Sequence, residues 1–172
     1  MNKILQNHSL IYLVGMPASG KTTFGKKLAS KIGYDFVDID QIIMDKEKQN
    51  ITDLFENKGE DYFRIVERDT LHLTNSFIKT VIATGGGAPC FFNNMDFINK
   101  NGLSIWLNVS IESLAMRIMQ GESERPMFKN KNRNEIIEFL QLKLSEREPF
   151  YQKAKLKLES ENIDIDELLL LK

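Results

Sequence analysis

The stretch that decides the fold is LIYLV at residues 10–14, followed by GMPASGKT at residues 15–22. Five consecutive apolar residues predict a short buried strand, and the next eight match G-x-x-x-x-G-K-[ST], the pattern of a phosphate-binding P-loop. The glycines let the loop turn its backbone N–H groups toward phosphate oxygens, and the helix that follows adds its positive dipole end. The stretch therefore predicts a strand, a phosphate site and a helix, in that order.

Within this motif, Lys21 is the candidate for reaching the β- and γ-phosphates of ATP, and the Thr22 hydroxyl is a candidate ligand of Mg²⁺. The alternative, a glycine-rich turn that binds nothing, is disfavoured because a strand precedes the motif and a helix follows it. The predicted ATP-binding positions in and just after the loop are Gly15, Met16, Pro17, Ala18, Ser19, Gly20, Lys21, Thr22 and Thr23.

The composition of the chain excludes or disfavours several classes of protein and of site. The chain has 172 residues, 42% of them apolar and 27% charged, which is typical of a globular protein with its own core. A net charge of −1 gives no bulk attraction to nucleic acid or to an anionic membrane. One cysteine and two histidines exclude internal disulfides and disfavour a His/Cys zinc site. No apolar run is long enough to span a membrane, so we expect a cytoplasmic protein.

Short apolar runs alternate with longer helical patterns along the whole chain. Strands are predicted over 10–14, 34–39, 80–84, 103–109 and 155–159, the last at a sheet edge. Helices are predicted over 20–32, 41–48, 52–57, 60–76, 93–100, 110–120, 134–147 and 164–171, with Pro149 interrupting the chain and a mobile loop over 121–132. This alternation predicts an α/β fold with a parallel sheet between helical layers, and ligands in such sheets bind beyond the carboxyl ends of the strands.

Two acidic residues follow the second predicted strand. In an extended chain Asp38 and Asp40 face the same side, so both carboxylates would point into one cleft. Asp38 could hold Mg²⁺, directly or through water, and Asp40 could accept a proton from a substrate hydroxyl. The alternative is that Asp40 only caps the next helix and Asp38 is solvated.

Three consecutive glycines, Gly85, Gly86 and Gly87, follow the third predicted strand. They indicate that the backbone comes close to another group or adopts positive φ. A small polar molecule bound by main-chain N–H groups would fit this loop, and a flexible turn is the alternative.

Several arginines complete the set of candidates. Arg64 is placed to reach into the cleft, and Glu67, one turn later on the same predicted helix, could orient it. Arg125 lies in the polar loop and could close over phosphates like an arginine finger. Arg117 precedes that loop and could stack on a nucleotide base or be a surface charge. Arg68 is interpreted as a solvated charge.

Taken together, the sequence resembles the shikimate kinases of the nucleoside-monophosphate-kinase-like P-loop group. The matching pieces are GMPASGKTTFGKKLA, FVDIDQII, GEDYFRIVE, GGGAP, RPMF and REPFY, which span residues 10–151 in the family's order. The resemblance implies a three-layer α/β/α P-loop kinase fold with a five-stranded parallel sheet of order 2-3-1-4-5. It also implies a single kinase domain over 1–172, with a shikimate-binding segment at about 39–70 and a mobile lid at about 121–134.

The resemblance also assigns roles. Asp38 would help to hold one Mg²⁺ ion, while Asp40 would bind shikimate hydroxyls and act as the candidate base. Arg64 and Arg147 would grip the shikimate carboxylate, the glycine triplet would contact the substrate, and Arg125 would touch both ATP phosphates and substrate. The implied reaction converts MgATP and shikimate to ADP and shikimate 3-phosphate, and the implied protein is a monomer.

Two other functions remain open from the residues. Gluconate kinase, or another small-metabolite kinase of this fold, would keep the P-loop but lack the pair of arginines in F-R-x-x-E and R-x-P-x-Y. A non-catalytic nucleotide-binding protein would be expected to have lost Asp40, Arg64 or Arg147, and all three are present.

Overall fold

A computed structural model describes residues 5, 7–121, 128, 131–159, 165 and 168. Five strands form one sheet: β1 (Leu10–Val14), β2 (Asp35–Asp38), β3 (Thr80–Ala83), β4 (Leu103–Asn108) and β5 (Leu156–Glu159). Their order across the sheet is β2-β3-β1-β4-β5, and every neighbouring pair is parallel. The predicted fold class and strand order are confirmed.

Helices connect the strands: α1 (Lys21–Ile32), α2 (Ile39–Glu47), α3 (Ile51–Leu73), α4 (Asn94–Asn101), α5 (Ile111–Met119) and α6 (Arg133–Tyr151). Short 3-10 turns follow α3 (Thr74–Ser76) and β3 (Ala88–Cys90). Most of the predicted closing helix over 164–171 and most of the predicted loop over 121–132 lie outside the described residues. Within the described ranges, no helix is both long and apolar enough to cross a membrane.

The core is divided by the sheet, because successive side chains of a strand point to opposite faces. On β1, Ile11 and Leu13 pack with α1 residues such as Leu28, whereas Tyr12 and Val14 belong to the larger cluster on the other face. β1 is buried along its full length, which explains why its sequence is an unbroken apolar run.

Asp40 lies in a helix, and the prediction that Asp38 and Asp40 share an extended strand is wrong. β2 ends at Asp38, and its side chain caps α2 by accepting a hydrogen bond of 3.0 Å from the Asp40 backbone N–H. A capping carboxylate stabilises the first turn of a helix, so the strand ends one residue before its predicted end at residue 39.

Two helices contain a residue that usually breaks a helix, and the prediction is confirmed for one of them and wrong for the other. α3 is two helical halves joined at Gly59, whose φ of 82° and ψ of 168° are not helical, in agreement with the two helices predicted there. α6 runs through Pro149 to Tyr151, so the predicted interruption is wrong. Pro149 is near the end of α6, and buried Tyr151 holds the last turn against the core.

Candidate active site

A cavity of about 880 Å³ opens where β1, β2 and β3 end. It is lined by the end of the P-loop, the start of α1, both acidic residues and the residue after β3: Ala18, Gly20, Lys21, Thr22, Thr23, Asp38, Asp40 and Thr84 among others. The carboxyl ends of parallel strands meet at one edge of a sheet, which is why motifs distant in sequence share this cavity.

The P-loop wraps around the Lys21 side chain. The Lys21 ammonium donates to the carbonyls of Gly15 (2.9 Å) and Met16 (2.8 Å) and lies 3.4 Å from the Ser19 hydroxyl. Gly15 has φ of 143°, and a Cβ there would stand 2.8 Å from the Leu107 carbonyl oxygen, so only glycine fits. The loop thus keeps a cation beside the N-terminus of α1, the two features that favour a bound phosphate.

Thr22 and Asp38 form a pair at the other side of the cavity. The Thr22 hydroxyl donates to Asp38 Oδ2 at 2.7 Å. A hydroxyl and a carboxylate are the oxygen ligands that Mg²⁺ accepts, with the remaining positions filled by water and substrate phosphates. Among residues 5, 7–121, 128, 131–159, 165 and 168, no cluster of three or more His, Cys, Asp or Glu suited to a metal occurs.

Arg64 is held by two carboxylates and by aromatic rings. Its Nη1 donates to Glu67 Oε2 at 2.7 Å, while Nε and Nη2 donate to Glu60 Oε1 at 3.2 and 3.0 Å. The Phe91 ring lies 4.3 Å from the guanidinium carbon, and Phe63 lies at 5.2 Å. Aromatic faces attract a guanidinium, so these contacts restrain its plane as well as its position.

None of the three glycines of the triplet has φ in the left-handed region, so positive φ does not account for them. Glycine is needed there because side chains of other elements come close to the loop backbone. A Cβ on Gly85 would meet carboxylate oxygens of Glu67 and Asp40. A Cβ on Gly86 would stand 2.9 Å from Pro17 Cδ and 3.2 Å from Arg147 Nη1, and one on Gly87 would stand 2.8 Å from both Nη atoms of Arg64. The missing side chains therefore make room for the charged groups around them.

Arg147 reaches the same loop from α6, half-buried, with Nη1 beside Gly86. Its neighbour on the helix, Tyr151, is fully buried and donates from its hydroxyl to the Gly86 carbonyl. The Tyr151 hydroxyl also lies 3.9 Å from Met16 Sδ, and burial raises its pKa. Tyr151 thus contacts both the glycine loop and the P-loop. Arg147, one turn earlier on α6, lies beside the same glycine loop.

Glu67 is the buried acid of the site, with a side chain that is 1% exposed. Burial, aided by the nearby Asp40 carboxylate, raises the pKa of Glu67 to about 7 against the opposing effect of Arg64. Glu67 therefore titrates near neutral pH while it is held against Arg64.

Arg117 lies against the P-loop, because its Nη1 donates to the Ala18 carbonyl at 3.2 Å. Arg117 is half-buried beside the P-loop, and its stacking on a nucleotide base stays a prediction. Arg125, the predicted lid cation, lies outside the described residues. Arg68, interpreted as solvated, is half-exposed, pairs with Asp69 at 2.7 Å and lies 5.0 Å from the Phe92 ring.

Sequence reasoning assigned no role to three residues that shape the site: Glu60, Phe91 and Tyr151. A signal existed for two of them, since Glu60 is four residues before Arg64 and Tyr151 is four residues after Arg147, the spacing of neighbours on one helix face. Phe91 gave no such signal, because its contact with Arg64 joins a turn to a helix.

The chain is similar to shikimate kinases by three measures. The sequence profile of the family described as shikimate kinase matches residues 17–170. A shikimate kinase of Parabacteroides distasonis is 40% identical over 153 residues, which cover 89% of this chain and 88% of the relative. The crystal structure of shikimate kinase from Bacteroides thetaiotaomicron has a TM-score of 0.88 at 36% identity, covering 91% of this chain and 89% of its own.

A second solved structure is similar as well. The Acinetobacter baumannii shikimate kinase, solved in complex with shikimate, has a TM-score of 0.83 at 32% identity and covers 94% of this chain and 88% of its own. Both likenesses extend over more than nine-tenths of the chain.

Proposed function

Because this chain belongs to the shikimate kinase family, we propose that it transfers the γ-phosphoryl group of ATP to the 3-hydroxyl of shikimate, giving shikimate 3-phosphate and ADP. Such a reaction is a step toward chorismate and the aromatic amino acids. The observation that carries the proposal is the approach of Arg64 and Arg147 to one glycine loop beside a P-loop. Two cations at that point match a substrate with a carboxylate.

On the nucleotide side, the backbone of residues 15–20 would cradle the phosphates and Lys21 would exchange its carbonyl contacts for phosphate oxygens. Thr22 and Asp38 would hold one Mg²⁺ ion, which neutralises phosphate charge when bound. Arg117 would line the nucleotide site, and Arg125 would contribute positive charge to the phosphates from the lid.

On the substrate side, Asp40 would accept the proton of the attacking hydroxyl or hold that hydroxyl in line with the γ-phosphate. The position of Asp40 supports this role, because it lines the same cavity as Lys21 and Thr22 and lies beside Gly85. Phosphoryl transfer depends mainly on positioning and charge stabilisation, so a carboxylate of ordinary basicity is sufficient. Arg64 and Arg147 would orient the ring through its carboxylate.

The domain organisation remains a proposal of the same kind. We infer one kinase domain over 1–172, in which residues at about 39–70 bind shikimate and residues at about 121–134 form a lid that excludes water during transfer. We also infer a monomer that works in the cytoplasm, where ATP is supplied, without nucleic acid or membrane partners.

The test is ADP release from MgATP by purified protein, with shikimate, quinate, gluconate and AMP offered separately as acceptors. We expect turnover with shikimate and a product that carries phosphate on the 3-hydroxyl by NMR. Preferred turnover of gluconate would indicate the metabolite-kinase alternative. Nucleotide binding without acceptor-dependent ADP release would indicate the non-catalytic one.

A further inference from the structure

Two nitrogens of the Arg64 guanidinium form a fork that suits a substrate carboxylate. Nη1 donates to Glu67, and a Cβ on Gly87 would stand 2.8 Å from both Nη atoms and 3.0 Å from the guanidinium carbon. Nε and Nη2 form a separate edge, on which arginine can bind a carboxylate with two parallel hydrogen bonds.

That fork already holds a carboxylate. Glu60 Oε1 accepts from Nε at 3.2 Å and from Nη2 at 3.0 Å. The two acids differ sharply in burial: the Glu60 side chain is 58% exposed, whereas the Glu67 side chain is 1% exposed. Glu67 is therefore a fixed partner of Arg64, and Glu60 is one that water can readily replace.

The backbone favours such an exchange. Glu60 follows Gly59, where α3 breaks, and so begins the second helical half of α3. At the start of a helix, residue 60 is not enclosed by a preceding turn, and its side chain can leave Arg64 for solvent without disturbing the core. An ion pair with one partner exposed to solvent is weaker than a fully buried pair, and a better-placed anion can replace the exposed partner.

We propose that Glu60 occupies the Arg64 fork as an internal competitor for the substrate carboxylate and so sets a minimum affinity that an anion must reach to bind. This rests on the proposed function of Arg64 in binding shikimate. Displacing Glu60 lowers the affinity of every carboxylate by the same factor. A substrate that Arg147 and Asp40 also contact still binds, whereas a carboxylate that meets Arg64 alone binds too weakly to occupy the site.

The test compares Glu60→Gln with Asp61→Asn. Both variants remove one negative charge from the first turn of the second half of α3, so helix-dipole and net-charge effects are matched. Two quantities are measured at saturating MgATP: KM for shikimate, and competitive inhibition by cyclohexanecarboxylate, a ring carboxylate without hydroxyls. Calorimetric titration of cyclohexanecarboxylate into the MgADP-bound protein gives the same comparison without turnover.

For Glu60→Gln we expect KM for shikimate to fall about two- to five-fold, as for loss of a partly exposed ion pair, and cyclohexanecarboxylate to bind more tightly by a similar factor. Asp61→Asn should change neither. A raised or unchanged KM and unchanged binding in Glu60→Gln, or equal tightening in Asp61→Asn, would overturn the inference. Absence of shikimate turnover in the unsubstituted protein would instead overturn the proposed function, while the titration would still report on Glu60.

Discussion

The two terminal nitrogens of Arg64 lie 2.8 Å from the point where a Cβ would stand on Gly87. Gly87 has φ of −88° and ψ of −19°, a conformation that alanine adopts without strain. The need for glycine at this position therefore comes from Arg64 and not from the backbone.

Replacing Gly87 by alanine should accordingly impair substrate binding more than folding. The added methyl group would push the guanidinium away from the carboxylate site, and we expect KM for shikimate to rise at least ten-fold while KM for ATP changes little, as for loss of a charge-assisted contact of about 1.5–3 kcal/mol. Steady-state kinetics for both substrates check this. Equal increases in the two KM values would show that the change acts through the whole cavity.

Asp40→Asn should reduce kcat strongly with little change in melting temperature. The amide cannot accept the hydroxyl proton, and losses of roughly 10²–10⁴-fold are typical when a general base is removed. Asp45→Asn is the matched control, because Asp45 lies on the same helix, α2, but is exposed and bonded only to Gln41 among the contacts described. Activity of Asp40→Asn within a few-fold of the unsubstituted protein would exclude Asp40 as the essential acceptor.

Tyr151→Phe should destabilise the protein and weaken shikimate binding together. The variant leaves the buried Gly86 carbonyl without its hydroxyl donor, and we expect a loss of about 1–3 kcal/mol in the free energy of unfolding, measured by urea denaturation. Tyr34→Phe is the control: its hydroxyl donates to the His8 carbonyl at 3.2 Å, in a half-exposed position, so water replaces the lost donor. Similar losses in both variants would contradict a special role for the buried bond.

Glu67 should make stability depend on pH in the direction opposite to that of most surface acids. Its pKa is about 7 in the folded protein against 4.5 in the unfolded chain. The folded form therefore holds its proton more tightly, and this stabilisation is fully present below about pH 4.5 and is lost as pH rises through about 7.

The measurement is urea denaturation of the unsubstituted protein and Glu67→Gln between pH 5 and 8. We expect the difference in free energy of unfolding, unsubstituted minus variant, to decrease with rising pH by at most about 3 kcal/mol, since one pKa unit corresponds to about 1.4 kcal/mol. A difference that is constant or increases with pH would contradict a raised pKa.

Local pattern was sufficient for much of the fold. The apolar run of β1, the P-loop motif and the alternation of strands and helices placed every strand within two residues of its observed ends. The pattern failed at Asp40 and Pro149. At Asp40 a capping hydrogen bond ended the strand early, and at Pro149 the buried Tyr151 carried α6 through a residue that usually stops a helix.

The sequence by itself determined which residues could bind phosphate and carboxylate, because that chemistry depends on residue type and on spacing along one strand, turn or helix. Helix spacing makes a contact between Glu60 and Arg64 expected, and the structure adds that Glu60 lies at the Nε/Nη2 edge of the guanidinium. Only the tertiary structure decided that the glycine triplet makes room for Arg64 and Arg147 and that Tyr151 joins Gly86 to Met16. Both of these relationships join elements far apart in the chain, so they depend on how the elements pack, and periodicity along the chain carries no record of packing.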